Sequence, residues 1–191
     1  MTYYGAKELA ESFRTVRKNT LIIAEEIPEE KYEFRAAPGT RSIAQVLTHI
    51  AIGYKFQHQI HAVERRTTLE GFDFASLMQR LGAEEQQPRS KNQIVKLLRS
   101  NGEEWAQWLG GLSDEFLGER VNMPGGMGPA TKSRLEMILS VKEHEMHHRA
   151  QLMLIERMIG IVPHLTRDAQ ARMARMAEAQ QQQSQTAKAQ A

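Results

Sequence analysis

The stretch Lys142 to Gln151, KEHEMHHRAQ, holds three of the chain's seven histidines, and the rest of the sequence is read from it. Residues 144–148, His-Glu-Met-His-His, satisfy H-E-x-x-H, the pattern by which zinc peptidases present two ligands on one helix face. The flanking residues place the motif on a helix. Met137, Val141, His144, His148, Leu152, Ile155 and Ile159 follow one another at spacings of three and four, so one apolar stripe runs through it and includes two of the histidines. Positions i and i+4 lie about 40° apart around a helix and about 6 Å along it, which lets two imidazoles meet one metal ion. His147 lies about 100° from His148 and points elsewhere.

Three other long segments carry the same period, and none alternates convincingly as a strand. The first spans about Ala6 to Ile27, with Leu9, Phe13, Val16, Thr20 and Ile23 on its inner side, and Pro28 stops it. Ser42 is placed to cap the second, which shows Val46, His49, Gly53, Phe56, Ile60 and Val63 on one face. A polar connection from about Thr67 to Ser90 contains a weaker helical piece at FASLMQRL, residues 74–81. Ser90 opens the third, with Ile94, Leu98, Trp105, Trp108 and Leu112 inward, although Gly102 and the Gly110-Gly111 pair weaken it. MPGGMGPA, residues 123–130, is a loop. Ser133 and Glu136 then predict a capping box for the fourth helix, which Gly160 and Pro163 end.

Four long helices predict an all-α domain, a four-helix bundle over residues 1–163. Residues 164–191 form an Ala/Gln-rich extension with Met173 and Met176 as its main apolar side chains. Its first half reads as an amphipathic helix for docking on the body or a partner, and its last dozen residues as disordered.

The charge balance, 25 cations against 23 anions with a sequence pI near 8.9, is mildly basic and dispersed, whereas nucleic-acid binding needs a concentrated basic stripe. No nucleic-acid partner is expected. The start, MTYYGAKELAESF, does not read as a signal peptide, and no run approaches the roughly 20 apolar residues of a membrane span. A cytoplasmic protein with no membrane partner is expected. There is no cysteine, so a metal site must use His, Asp, Glu and water, and thiol chemistry would need a small-molecule thiol.

A third ligand separates the ways of reading the motif. His49 lies on the core seam of the second helix, and a buried histidine needs hydrogen-bond partners or a metal. With His144 and His148 it makes three histidines on facing seams, which points to a metal site. His58 and His61 share the helix but leave its seam, roughly 13 and 18 Å along the axis from His49, and are expected at the surface or rim, as is His164. Glu143 and Glu145 flank His144 at about 100°, where a solvated face or a supporting role is expected. Arg149 would sit at the surface or contact an anionic ligand at the rim. A peptidase fits poorly. The metzincin pattern needs a third His at its eleventh position, where this chain has Leu154. The downstream glutamates are Glu156, three turns along the same helix, and Glu178 in the extension.

These residues resemble the DinB/YfiT-like metalloenzymes over most of residues 5–163. The likeness is carried by YEFRAAPGTRSIAQVLTHIA with His49, and by TKSRLEMILSVKEHEMHHRAQLMLIERMIGIVP. The late motif of that family often reads H-H-R-G-Q; here it is His147-His148-Arg149-Ala150-Gln151, with Ala150 keeping a small side chain. The resemblance implies a four-helix bundle that holds a divalent metal through His49, His144 and His148, with zinc, nickel or manganese as occupant and open water positions. It also implies a homodimer, and relatives that are transferases or isomerases using a low-molecular-weight thiol on a small-molecule substrate. No catalytic residue is assigned. The alternatives are a non-catalytic metal-binding stress-response module whose extension recruits a partner, and a metal-dependent hydrolase, of which a peptidase fits least.

Overall fold

The computed structural model describes residues 4–126 and 128–189; residues 1–3, Met127 of the predicted loop and the last two residues of the extension lie outside the described residues. The elements in chain order are α1 (Ala6–Glu26), α2 (Ile43–His58), α3 (Phe74–Glu85), α4 (Lys91–Gly110), α5 (Asp114–Gly118), β1 (Arg120–Asn122), β2 (Thr131–Ser133), α6 (Arg134–Met158) and α7 (His164–Ala189). A 3-10 turn at Glu29–Lys31 precedes α2, and a π-helical turn at Gln59–Val63 follows it.

The helix starts are chemically specified. Ser42 and Ser90 accept from the amides of Gln45 and Gln93, whose side chains bond back to the serine amides. Each box satisfies two donors that a helix start leaves orphaned. At α6 only the forward half forms: Ser133 Oγ accepts from Glu136 N at 3.1 Å. Ser133 also ends β2, where its backbone has Arg120 as ladder partner.

The bundle consists of α1, α2, α4 and α6. Each of α1 and α2 packs on both α4 and α6, so the two helices adjacent in sequence sit diagonally across the core. Ile23, Ile27, Ile43, Leu47, Leu98 and Leu152 fill one end of the interior, and Leu9, Phe13, Trp105, Leu109 and Ile138 fill the other. Between these apolar ends lies a polar layer. Arg17 of α1, 4% exposed, donates to both oxygens of Glu145 on α6, to Leu98 O on α4 at 2.6 Å and to Ile50 O on α2 at 3.4 Å. One guanidinium thereby touches all four helices. Asn101 Nδ2 adds a bond to Ala51 O at 3.1 Å.

A third apolar cluster, Ile60, Leu69, Phe72, Leu77, Val121 and Met137, seats α3 and the two-stranded hairpin against α2 and α6. These two short antiparallel strands depart from the expectation of helices alone; three residues are too short to show a period. The extension also departs from expectation, because α7 continues to Ala189, through residues read as disordered. Its Ala and Gln content supports helix intrinsically. Among the described residues it meets the body at its start, where Arg167 pairs with Glu26 at 2.5 Å, and it is exposed from Gln170 to Thr186. No helix among the described residues is long and apolar enough to cross a membrane.

Candidate metal centre

His49 projects from the middle of α2, and His144 and His148 from successive turns of α6, in the gap between the two apolar ends of the core. Their rings stand edge to face, with centroids 4.5–4.8 Å apart. His144 Nε2 lies 2.9 Å from His49 Nε2 and 3.1 Å from His148 Nε2. One ligand atom from each residue falls within a 4.8 Å group, so the three histidines could hold a metal ion.

The outward nitrogens determine the protonation of the inward ones. His49 Nδ1 lies 2.8 Å from Glu85 Oε2. Burial alone would raise the Glu85 pKa, but the Arg41 guanidinium and His49 outweigh it and hold the carboxyl below its ordinary value. A carboxylate only accepts, so His49 carries its proton on Nδ1 and turns a lone pair to the cluster. His148 Nδ1 lies 2.8 Å from Gln151 Oε1, while Gln151 Nε2 donates to His147 Nε2 at 3.1 Å, so His148 is oriented the same way. Burial lowers the pKa of all three rings, His144 to about 4 with help from its histidine neighbours. They are therefore neutral near pH 7. Without a proton on His144 Nε2 the three Nε2 lone pairs face one another, and a single N–H there could point at one of its two neighbours and leave the other lone pair without a donor. A cation resolves that repulsion. At metal–nitrogen distances of about 2.0–2.1 Å, nitrogens this far apart subtend roughly a right angle, as ligands sharing one ion do. The residues fit a divalent metal that accepts imidazole, with room for further ligands.

Two openings meet at the cluster. One, of about 500 Å³, lies between α2, α3 and α6 and is walled by Ile52, Phe56, Leu81 and Val141 beside His49 and His144. The other, of about 650 Å³, is more polar and presents Arg35, Gln45, Gln86 and Gln151 beside His148. Arg41 and Glu85, paired at 2.6 Å, border both. Gly53 makes room at the centre: a Cβ there would stand 3.2 Å from Cε1 and Nδ1 of His144.

Several side chains sit elsewhere than expected. Glu145 is 1% exposed and faces Arg17, away from any solvated face, because α1 covers that side of α6. His61, expected at the rim, is fully buried, because the start of α6 brings Arg134 over it. His164 is also buried, since α7 begins against α1 and His164 Nε2 meets Asn19 Oδ1 at 3.4 Å. His58 is half-buried, edge-on to Tyr54, Trp105 and Trp108, and His147 is exposed. Glu85 was absent from the sequence expectations. Its signal was the continuation of the stripe Leu77, Leu81 at a further four residues, inside a segment read only as a polar connection.

Residues 12–152 match the sequence profile of the DinB superfamily. No curated protein matches the sequence. Among solved structures, YfiT from Bacillus subtilis is described as a probable metal-dependent hydrolase with an unusual four-helix bundle topology. It is 14% identical, with a TM-score of 0.64 over 84% of this chain and 91% of that one. A DinB-like protein from the same organism is 19% identical, with a TM-score of 0.58 over 80% of this chain and 92% of that one. A Streptococcus pneumoniae protein is 18% identical, with a TM-score of 0.63 over 82% and 93% of the two chains. At these identities the likeness concerns the fold.

Proposed function

The chain belongs to the DinB superfamily, and from that premise we propose that it is a divalent-metal-dependent enzyme acting on a small molecule, its metal held by His49, His144 and His148. The observation that carries the reading is the convergence of three Nε2 atoms, two of them stripped of protons by Glu85 and Gln151. Zinc, nickel and manganese all suit such donors. A bound ion would act as a Lewis acid, acidifying a water or thiol brought to it or polarising a carbonyl.

Within this reading the reaction joins or moves a low-molecular-weight thiol on an electrophilic substrate. Two openings flank the histidines, enough for two reactants, and their contrast in polarity suits a polar thiol on the Arg35 side and a less polar electrophile on the Phe56 side. The proton inventory supports a thiol too. Glu85 is the one carboxylate among the residues that border the openings, and Arg41 and His49 already engage it. Water, with a pKa near 15.7, needs far more help to ionise than a thiol near 8.5. Arg41 and Arg35 would orient an anionic group, and the apolar wall excludes water. Hydrolysis is the second reading, favoured by the likeness to YfiT and its description as a probable metal-dependent hydrolase.

Elemental analysis tests the site. His49→Ala should reduce bound metal from stoichiometric to background; unchanged metal content would sink the assignment. A screen of several cellular thiols against model electrophiles then tests the reaction. Thiol consumption that stops on chelation supports transfer, whereas chelator-sensitive turnover without thiol establishes hydrolysis.

A further inference from the structure

The opening between α2, α3 and α6 ends on two polar side chains, Gln57 and Ser140, that the metal site does not use. They terminate a chain of hydrogen bonds whose direction follows atom by atom. Arg134 donates through Nε to Glu119 at 2.8 Å, and its Nη1 lies 2.9 Å from His61 Nδ1. A guanidinium only donates, so His61 Nδ1 accepts and the ring proton sits on Nε2. That N–H donates to Gln57 Oε1 at 3.1 Å. Gln57 Nε2 donates to Ser140 Oγ at 3.2 Å, and the Ser140 hydroxyl donates to Met137 O at 2.5 Å. With its oxygen held by His61, the Gln57 amide has one N–H left to offer the cavity.

The position of this donor matters as much as its sense. Ser140 lies one turn before His144 on α6, about 6 Å along the axis, and Gln57 lies eight residues beyond His49 on α2, about 12 Å along. The wall between is apolar: Ile52, Phe56, Leu81 and Val141. The cationic member of the cavity lining, Arg41, is paired with Glu85 beside His49. A carboxylate at the Gln57 end would thus enter an apolar cavity without a counter-charge there, at a large desolvation cost.

We propose that the Gln57–Ser140 end of the cavity is a specificity subsite for a neutral hydrogen-bond acceptor. The substrate class it selects is an elongated small molecule with a reactive polar group at the histidines, an apolar middle of about 6–12 Å, and a carbonyl or ether oxygen at the far end. Gln57 makes the contact, and His61 is a positioning residue that holds its amide in the donating sense. A molecule without the acceptor leaves the buried N–H unmet, which is how a polar subsite discriminates. The proposal rests on the metal reading above.

The test uses the full chain loaded with zinc and alkyl hydroxamates, whose head group binds the metal and whose tails span the apolar wall. The tails end in a methyl ketone, a hydrocarbon isostere of it, or an ammonium group. Calorimetric titration of the wild type should show the ketone tail binding about tenfold more tightly than its isostere. Gln57→Glu, nearly identical in shape, should invert the preference toward the ammonium tail, a change that loss of stability cannot produce. Ser140→Ala should weaken the ketone preference while leaving zinc content and hydrocarbon-tail affinity in place. Equal affinity of ketone and hydrocarbon tails in the wild type overturns the subsite and leaves the metal reading standing. Absence of zinc-dependent hydroxamate binding overturns both.

Discussion

Glu145 follows His144 in sequence yet faces Arg17, whereas Glu85, 36 residues from His49, bonds to it at 2.8 Å. The H-E-x-x-H pattern would make Glu145 the general base of a peptidase, but both its oxygens are engaged by a buried guanidinium. Glu145→Ala leaves that guanidinium without its counter-charge and should destabilise the fold by about 3–5 kcal/mol in denaturant titrations. A loss of activity without loss of stability would restore the catalytic reading. Glu85 acts on the other side of the site. Replacing it with Gln removes the charge that orients His49, so metal affinity should fall by about 10–100-fold in chelator competition, with stoichiometry retained at saturating metal. At this scale the sequence showed which histidines share a stripe. It could not show which carboxylate answers them, because that depends on side chains brought in by α1 and α3.

Element geometry explains two glycines that look like weaknesses in helical sequence. Gly102 lies where a Cβ would come within 2.8 Å of Arg17 Cγ and 2.9 Å of its Nη1, so its bareness admits the guanidinium to the polar layer. Gly53 does the same for the His144 ring on the opposite side. Gly53→Ala should raise intrinsic helix stability by about 1 kcal/mol while crowding that imidazole. The expected result is unchanged or increased helicity by circular dichroism with several-fold weaker zinc binding; unchanged zinc affinity would show that the ring shifts without cost. The periods of α1, α2, α4 and α6 and the serine starts of the last three were legible in sequence, since each is a local pattern of apolar spacing or serine placement, although the box expected at α6 forms only in its forward half. The hairpin was not, because three residues carry too little alternation.

Across the whole molecule, the junction of α1, α6 and α7 holds Glu156, fully buried, with neither carboxylate oxygen hydrogen-bonded to any group among the described residues. Burial, aided by nearby Glu26, pushes its pKa up to about 7 from an ordinary 4.5. Below pH 4.5 both folded and unfolded chains hold this proton. As pH rises from there to about 7 the unfolded chain releases it first, so stability declines through that window, by about 3 kcal/mol once both are ionised. Glu156→Gln should remove this part of the slope and be the more stable protein at pH 8, with little difference at pH 4. Denaturant midpoints of the two proteins at both pH values check it.

What the sequence determined by itself is the four long helices, their inner stripes, and the placing of His49, His144 and His148 on stripes that must face a common core. These follow from a backbone period that each segment expresses locally. Tertiary structure decided what covers each helix: Arg17 over Glu145, Arg134 over His61, Glu85 behind His49, and Asn19 of α1 against His164. Those partners are distant in the chain, and a polar residue just off a stripe reads the same whether water or another helix lies beyond it. The burial that distinguishes the two cases exists only once the helices have packed.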